Sequence, residues 1–145
     1  MDVQHHFQTD LCAITDTTGG AGVCMLDHDG DGDLDLYFAD RAPSPTRLRP
    51  TDGGSFSDVT DASGAGVTTD TMGCLALDYD GDGDLDLYLT NVGSDQLLRN
   101  DGGTFTDVSS SMGIDTVASF TVTASAGDID EDHAVAAYVL ADAAT

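Results

Sequence analysis

Five aspartates fall within the nine residues Asp27-His28-Asp29-Gly30-Asp31-Gly32-Asp33-Leu34-Asp35, and five more within Asp78-Tyr79-Asp80-Gly81-Asp82-Gly83-Asp84-Leu85-Asp86. The second segment repeats the first 51 residues later, counted from Asp27 to Asp78. At neutral pH so many carboxylates repel one another unless a cation sits among them. Anionic loops rich in oxygen donors are the ligand chemistry of a hard divalent ion, calcium above all. Asp27, Asp29 and Asp31 occupy loop positions 1, 3 and 5, and Asp35 occupies position 9. Asp33, at position 7, would offer its backbone carbonyl. The same roles fall in the second copy to Asp78, Asp80, Asp82 and Asp86, with Asp84 as the carbonyl donor. Gly32 and Gly83 permit the tight bend that wraps a loop around an ion.

What positions these loops is strand rather than helix. An EF-hand requires a bidentate Glu at the twelfth position and a helix on each side. Here the twelfth positions are Phe38 and Leu89. The residues that follow, Leu34-Asp35-Leu36-Tyr37-Phe38 and Leu85-Asp86-Leu87-Tyr88-Leu89, alternate or end in aromatics, which is β patterning.

The loop Asp-x-Asp-Gly-Asp-Gly-Asp-Leu-Asp-Leu-Tyr resembles the FG-GAP/VCBS repeat, the calcium-binding blade unit of integrin-α-like β-propellers and of many secreted bacterial proteins. Downstream, Asp52-Gly53-Gly54-Ser55-Phe56-Ser57-Asp58-Val59-Thr60 and Leu97-Leu98-Arg99-Asn100-Asp101-Gly102-Gly103-Thr104-Phe105-Thr106-Asp107-Val108 resemble the later strands of that repeat. The resemblance covers most of the chain. It implies one Ca²⁺ on the side chains of Asp27, Asp29, Asp31 and Asp35 and a second on Asp78, Asp80, Asp82 and Asp86. The carbonyls of Asp33 and Asp84 join them.

A third copy, Asp128-Ile129-Asp130-Glu131-Asp132-His133-Ala134-Val135-Ala136, keeps Asp128, Asp130 and Asp132 at positions 1, 3 and 5. Position 6 is His133 rather than Gly, and position 9 is Ala136 rather than Asp. Two readings stand: a third calcium site completed by water or a neighbouring group, or a degenerate repeat that keeps only its strand.

The composition points the same way. A formal net charge of −23, with 27 acidic residues against four arginines (Arg41, Arg47, Arg49, Arg99) and no lysine, argues against nucleic acid or anionic membrane as partner. An acid-rich surface adapted to high salt is the other explanation of such a balance. The clustering of ten of the acids in two loops favours calcium. No stretch is long and apolar enough to span a bilayer, and Met1-Asp2-Val3-Gln4-His5-His6 lacks the basic start and apolar run of a signal peptide. Calcium sites of micromolar or weaker affinity stay filled only outside cells, so an extracellular location is expected.

Cys24 lies three residues before Asp27, whereas Cys74 lies four before Asp78, so strand alternation directs them to opposite sheet faces. Cys12, 12 residues before Cys24, is one pairing open to it in an oxidising compartment, which leaves Cys74 free, buried or linked between chains; buried thiols are the alternative. Catalysis has little support. A hydrolase needs a nucleophile, a base and an orienting group at one place. His28 is at loop position 2, where a side chain is expected to point away from the ion; His133, in the third loop, is read as a ligand or a surface residue, and His5 and His6 sit near the N-terminus. The carboxylates fit a metal cage far better than an acid–base pair, and the chain is read as not an enzyme. Tyr37, Tyr88 and Tyr138 recur in register and are expected to pack between blades.

The expected fold is all-β: propeller-like blades of four-stranded antiparallel sheets, about three of them, two complete and one split between the termini. Residues 1–20 would supply N-terminal outer strands, 21–66 the first blade, 67–116 the second and 117–145 a partial third. Strands are expected over Ala21 to Leu26, Leu34 to Ala39, Thr46 to Arg49 and Phe56 to Thr60. The second blade would use Gly73 to Leu77, Leu85 to Thr90, Gln96 to Arg99 and Phe105 to Ser109. Propellers have at least four blades, so strand counting leaves three arrangements. They are a fragment of a longer propeller, a closed ring of identical copies, or an open head-to-tail filament joined by strand complementation. The functional expectation is a secreted, calcium-rigidified, self-assembling structural subunit. The alternative is an adhesion module that holds a protein or glycan ligand.

Overall fold

The computed structural model describes residues 22–41, 46–52, 54–114, 119–127 and 136–142. Every strand pair among them is antiparallel. In the first repeat, β1 (Val23–Leu26) pairs with β2 (Asp35–Phe38), which pairs with β3 (Arg47–Arg49). Two short strands, β4 (Thr51–Asp52) and β5 (Ser55–Phe56), continue the unit as a separate hairpin. In the second repeat, β6 (Thr71–Leu77), β7 (Asp86–Gly93), β8 (Gln96–Asn100) and β9 (Phe105–Asp107) form an uninterrupted four-stranded meander. A further hairpin, β10 (Ser119–Gly127) with β11 (Ala136–Asp142), joins that sheet where Phe120 pairs with Val92.

The difference between the two repeats has a local cause. Pro50 stands where the second repeat has Arg99, and Arg99 pairs with Thr106 in the β8–β9 ladder. Proline has no N–H to give. Only half of that pair survives in the first repeat, as Ser57 N donating to Pro50 O at 3.3 Å, and the strand divides into β3 and β4.

The fourth strands end sooner than their patterning suggests. Thr60–Ser63 and Ser109–Met112 are single helical turns rather than strand ends. Asp58 and Asp107 start them. Asp58 Oδ1 accepts from Thr60 N at 3.1 Å and from Thr60 Oγ1 at 2.6 Å. Asp107 Oδ1 accepts from Ser109 N at 2.9 Å and from the Ser109 hydroxyl. Each hydroxyl in turn is tied to the sheet, Thr60 by Leu48 N and Ser109 by Leu97 N. This is the competition between side-chain acceptors and the strand ladder that Asp, Ser and Thr provide.

The core lies between sheets. Cys24 and Leu26 of β1, Tyr37 of β2 and Leu48 of β3 pack against Leu87, Leu89 and Leu98 of the second repeat, with Cys74 and Ala76 at the margin. The opposite face of the second repeat, Leu77, Tyr88 and Leu97, packs with Ala124 and Ala126 of β10. Tyr37 and Tyr88 do pack between sheets, as their register implied, and each hydroxyl finds a partner. Tyr37 donates to Thr46 Oγ1 at 2.7 Å and Tyr88 to Asp95 Oδ2 at 2.9 Å. Each fully buried leucine contributes about 1.5–3 kcal/mol. All four residues of β2 are buried. The result is the face-on-face stacking of a propeller-like all-β fold.

The innermost strands meet closely. A Cβ on Gly22, just before β1, would lie 2.7 Å from Gly73 Cα, so position 22 tolerates no side chain where it passes β6. Cys24 and Cys74 form a disulfide with Cα atoms 5.9 Å apart. This corrects the expected pairing of Cys24 with Cys12, which lies outside the described residues, and the alternative of free buried thiols. Strand alternation does put the two cysteines on opposite faces of their own sheets. In a stack of like-oriented sheets, however, opposite faces are the ones that touch.

Candidate metal centre

Both acidic loops connect the first and second strands of their repeats, and both are shaped by the same main-chain contacts. Asp27 turns its carboxylate into its own loop: Oδ1 accepts from Gly30 N at 2.9 Å and Asp31 N at 3.1 Å, and Oδ2 from Gly32 N at 2.9 Å. Asp78 does the same with Gly81 N at 2.8 Å and Gly83 N at 3.1 Å. Gly32 and Gly83 have φ of 89° and 99°, the left-handed region that side chains resist, as the bend requires. Asp31 and Asp82 each accept from the amide two residues on, Asp33 N at 2.8 Å and Asp84 N at 2.9 Å.

The ninth-position aspartates hold each loop to its sheet. Asp35 is 1% exposed and Asp86 fully buried. Asp86 Oδ2 accepts from Tyr79 N at 2.9 Å and Oδ1 from Asn100 N at 2.8 Å. Asp35 accepts from His28 N at 2.9 Å and Thr51 N at 2.9 Å. Burial raises the pKa of Asp86, against the pull of the Tyr79 and Asn100 amides; the charges of Asp80 and Asp82 push it further in the same direction.

Ligand-capable atoms gather in three sets, each within 4.8 Å: Asp78, Asp80 and Asp86; Asp27, Asp29 and Asp31; and His28, Asp29 and Asp35. Asp33 and Asp84 are in none of these sets, nor is Asp82, which was expected to be a side-chain ligand; Asp84 Oδ2 accepts from Gly102 N at 2.7 Å. The donor chemistry fits a hard cation: the sets are carboxylate-rich, and each oxygen that accepts one N–H retains a further lone pair. Each of the four arginines stands beside an aspartate outside the loops: Arg41 with Asp70, Arg47 with Asp40, Arg49 with Asp58, Arg99 with Asp101. Asp128, Asp130 and Asp132 of the third copy lie outside the described residues, as do His5, His6 and His133.

His28 departs from the sequence expectation. Its ring does not point away from the carboxylates. It is buried, with Nδ1 2.6 Å from Asp35 Oδ2 and 4.0 Å from Asp29 Oδ1. The reason lies in the other repeat. Asn100, itself buried, donates from Nδ2 to His28 O at 2.8 Å and to Leu85 O at 3.2 Å. Gly103 passes so close that a Cβ there would be 3.2 Å from Asp29 Cβ. The β8–β9 hairpin of the second repeat therefore covers the first loop. Asn100 was not singled out by sequence reading, and its counterpart Thr51 shows why: Thr51 also reaches its own loop, at Leu34 O, so the position reads as ordinary turn chemistry.

The FG-GAP-like repeat family matches residues 27–89 and again residues 78–138. The chain belongs to that family. The two matches each run from the first aspartate of one loop into the strand after the next, so they follow the repeat seen in the structure. No curated protein matches the chain. The FG-GAP-like repeat is a propeller-like module, consistent with the antiparallel sheets and their face-on-face packing. No helix among the described residues is long and apolar enough to cross a membrane, which leaves β-barrel spanning unaddressed.

Proposed function

We propose that this FG-GAP-like protein is a calcium-binding structural module that works outside cells and is not an enzyme. One Ca²⁺ is held by Asp27, Asp29, Asp31 and Asp35 with the Asp33 carbonyl, and a second by Asp78, Asp80, Asp82 and Asp86 with the Asp84 carbonyl. The observation that carries this reading is the repeated gathering of three carboxylates within 4.8 Å, in loops whose first aspartate is already turned inward by main-chain N–H groups. The ion supplies positive charge that relieves carboxylate repulsion. The chain's own part is to orient the oxygens and, through Asp35 and Asp86, to fasten the loops to β4 and β8. The Cys24–Cys74 bond supports an oxidising compartment. The test is calorimetric titration of the chelator-treated protein with calcium. Two ions are expected, and one after Asp80→Ala; no binding at millimolar calcium would sink the reading.

Self-association is the second part of the proposal. Val23 and Met25 of β1 are 46% and 64% exposed. By register with Leu26 and Leu77, which face Asp35 and Asp86, their counterparts are Cys74 and Ala76. In the second repeat that face is packed by the first repeat. The face at Val23 and Met25 is therefore shaped to receive another repeat, and a second copy of the chain supplies one. Light scattering should show Met25→Asp reducing the particle size of the parent; equal sizes would remove this part of the proposal.

A further inference from the structure

The two nine-residue loops differ at a single position, His28 in the first and Tyr79 in the second. The consequence is chemical. Around Asp86 the gathered donors are carboxylates alone, whereas the first loop has, besides its carboxylate set, a mixed set of His28, Asp29 and Asp35. The histidine is 6% exposed and its Nδ1 is directed at both carboxylates, 2.6 Å from Asp35 Oδ2 and 4.0 Å from Asp29 Oδ1. The second repeat fixes it there, through Asn100 Nδ2 on His28 O and the close passage of Gly103 over Asp29.

We propose that His28, Asp29 and Asp35 form a site for a borderline divalent cation of the zinc class, distinct in selectivity from the second loop. Imidazole nitrogen is a ligand that such ions favour, while calcium takes oxygen. The geometry is close to what is needed. Donor atoms about 2.1 Å from a tetrahedral ion lie roughly 3.4 Å apart. The His28–Asp35 separation of 2.6 Å has to open, and the His28–Asp29 separation of 4.0 Å has to close, each by less than about 1 Å. Two carboxylates and one imidazole leave a fourth position for water, as in three-ligand zinc sites. Asp29 and Asp35 are both ligands in the calcium reading of the first loop, so this ion and calcium compete there; the second loop, with Tyr79 in place of the histidine, stays with calcium. The site deepens the calcium reading but does not depend on it, because the imidazole set stands without the calcium set.

The test uses cobalt(II) as a spectroscopic stand-in for zinc, added to the full chain with calcium present, and His28→Tyr, which rewrites the first loop as the second. The parent is expected to develop the visible absorption of a cobalt–imidazole complex with loss of one bound calcium. The variant is expected to bind cobalt about tenfold or more weakly, while still taking two calcium ions. No cobalt band in the parent overturns the proposal. A band of equal strength in the variant also overturns it, because the ion would then sit on another histidine. Where the variant fails to fold, the parent with nitrogen-15 histidine decides: zinc must shift the ring resonances of His28, and unshifted resonances overturn the site. Two bound calcium ions without cobalt would end this inference alone; no binding of calcium at either loop would end the calcium reading separately.

Discussion

Cys24 and Cys74 are disulfide-bonded across two stacked sheets although each stands on the opposite face of its own sheet from the other. Cys24 pairs with Tyr37 across β1–β2, and Cys74 with Leu89 across β6–β7. Tyr37 and Leu89 belong to the same inter-sheet core, so the bond is the covalent edge of that core. It closes a segment of sequence separation 50, which contains the first acidic loop and the rest of the first repeat. On the chain-entropy model a loop of that length is worth about 4 kcal/mol. Cys24→Ser with Cys74→Ser should lower the midpoint and the unfolding free energy, the latter by an amount of that order, with a steeper denaturant slope because the unfolded chain is no longer cross-linked. An unaltered midpoint would show that the packed faces alone hold the repeats together.

Asn100 couples the repeats without covalent chemistry. It lies in β8 yet donates to the carbonyl of His28, and its own backbone N–H meets Asp86. One residue therefore touches both loops. Asn100→Ala leaves the buried His28 carbonyl and the partly buried Leu85 carbonyl without that donor, at a cost of about 1–3 kcal/mol. The expected signature is a lower melting temperature together with weakened calcium binding at the first loop, a loop 72 residues away in sequence. Calorimetry that finds first-loop affinity equal to the parent's would confine Asn100 to the second repeat.

Calcium should act as a stabiliser through mass action. A site occupied at a hundred times its dissociation constant adds about 2.7 kcal/mol. The parent's melting temperature should rise on adding calcium and fall back in EDTA. Asp80→Ala should remove part of the rise and leave the EDTA value near the parent's, because Asp80 Oδ1 has only a long contact to Asp82 N, at 3.3 Å, to lose. If the variant and parent differ equally in both buffers, the loop acts through its backbone contacts rather than through an ion.

The extent to which the sequence foretold this arrangement follows from the range of the forces involved. The loops, their flanking strands and the left-handed glycines are local, and the doubled nine-residue segment made them readable at Gly32, Gly83 and the strands after them. The β3–β4 break is local as well, because it turns on one missing N–H at Pro50. The turns begun by Asp58 and Asp107 carry a repeated Phe-x-Asp-Val pattern that reads as strand, since alternation does not distinguish an acceptor that ends a strand from one that faces solvent. The disulfide and the inward turn of His28 are not local. Both depend on which sheet faces meet, and no single-strand periodicity carries that information.

Acid should loosen the protein at the turns held by Asp58 and Asp107. The Thr60 hydroxyl holds Asp58 below its ordinary pKa, aided by the Thr60 amide and Arg49 against partial burial. For Asp107, burial pushes the pKa up, but the Ser109 hydroxyl and amide with the Gln96 side chain together outweigh it, and the group lies low. A carboxylate depressed in the folded state contributes stability that is complete above its unfolded value, about 3.9. That contribution is lost as the pH falls through the folded value. The contribution of these two carboxylates should therefore be lost on acidification below about pH 4. The double variant Asp58→Asn, Asp107→Asn should be less stable than the parent near neutrality and converge towards it in acid. Parallel curves at all pH values would show that the two carboxylates are not linked to folding.

Thr90 offers a change in the opposite direction. It sits in β7 at 1% exposure, and its Oγ1 has no hydrogen-bond partner among the described residues. A Cβ on the facing Gly73 would lie 3.1 Å from that oxygen, so the hydroxyl looks onto the innermost strand rather than onto an acceptor. A buried hydroxyl without a partner costs about 1–3 kcal/mol of lost solvation. Thr90→Val keeps the branched shape that fits a strand and removes the polar atom. It should leave the fold unchanged and raise the denaturant midpoint, by up to about 1–2 kcal/mol in stability. Gly73→Ala places a methyl 3.1 Å from that oxygen, which has to give by a few tenths of an ångström to admit it. If Thr90→Val lowers the midpoint instead, the hydroxyl is satisfied by a buried water, and the cost of displacing that water is what the measurement reads.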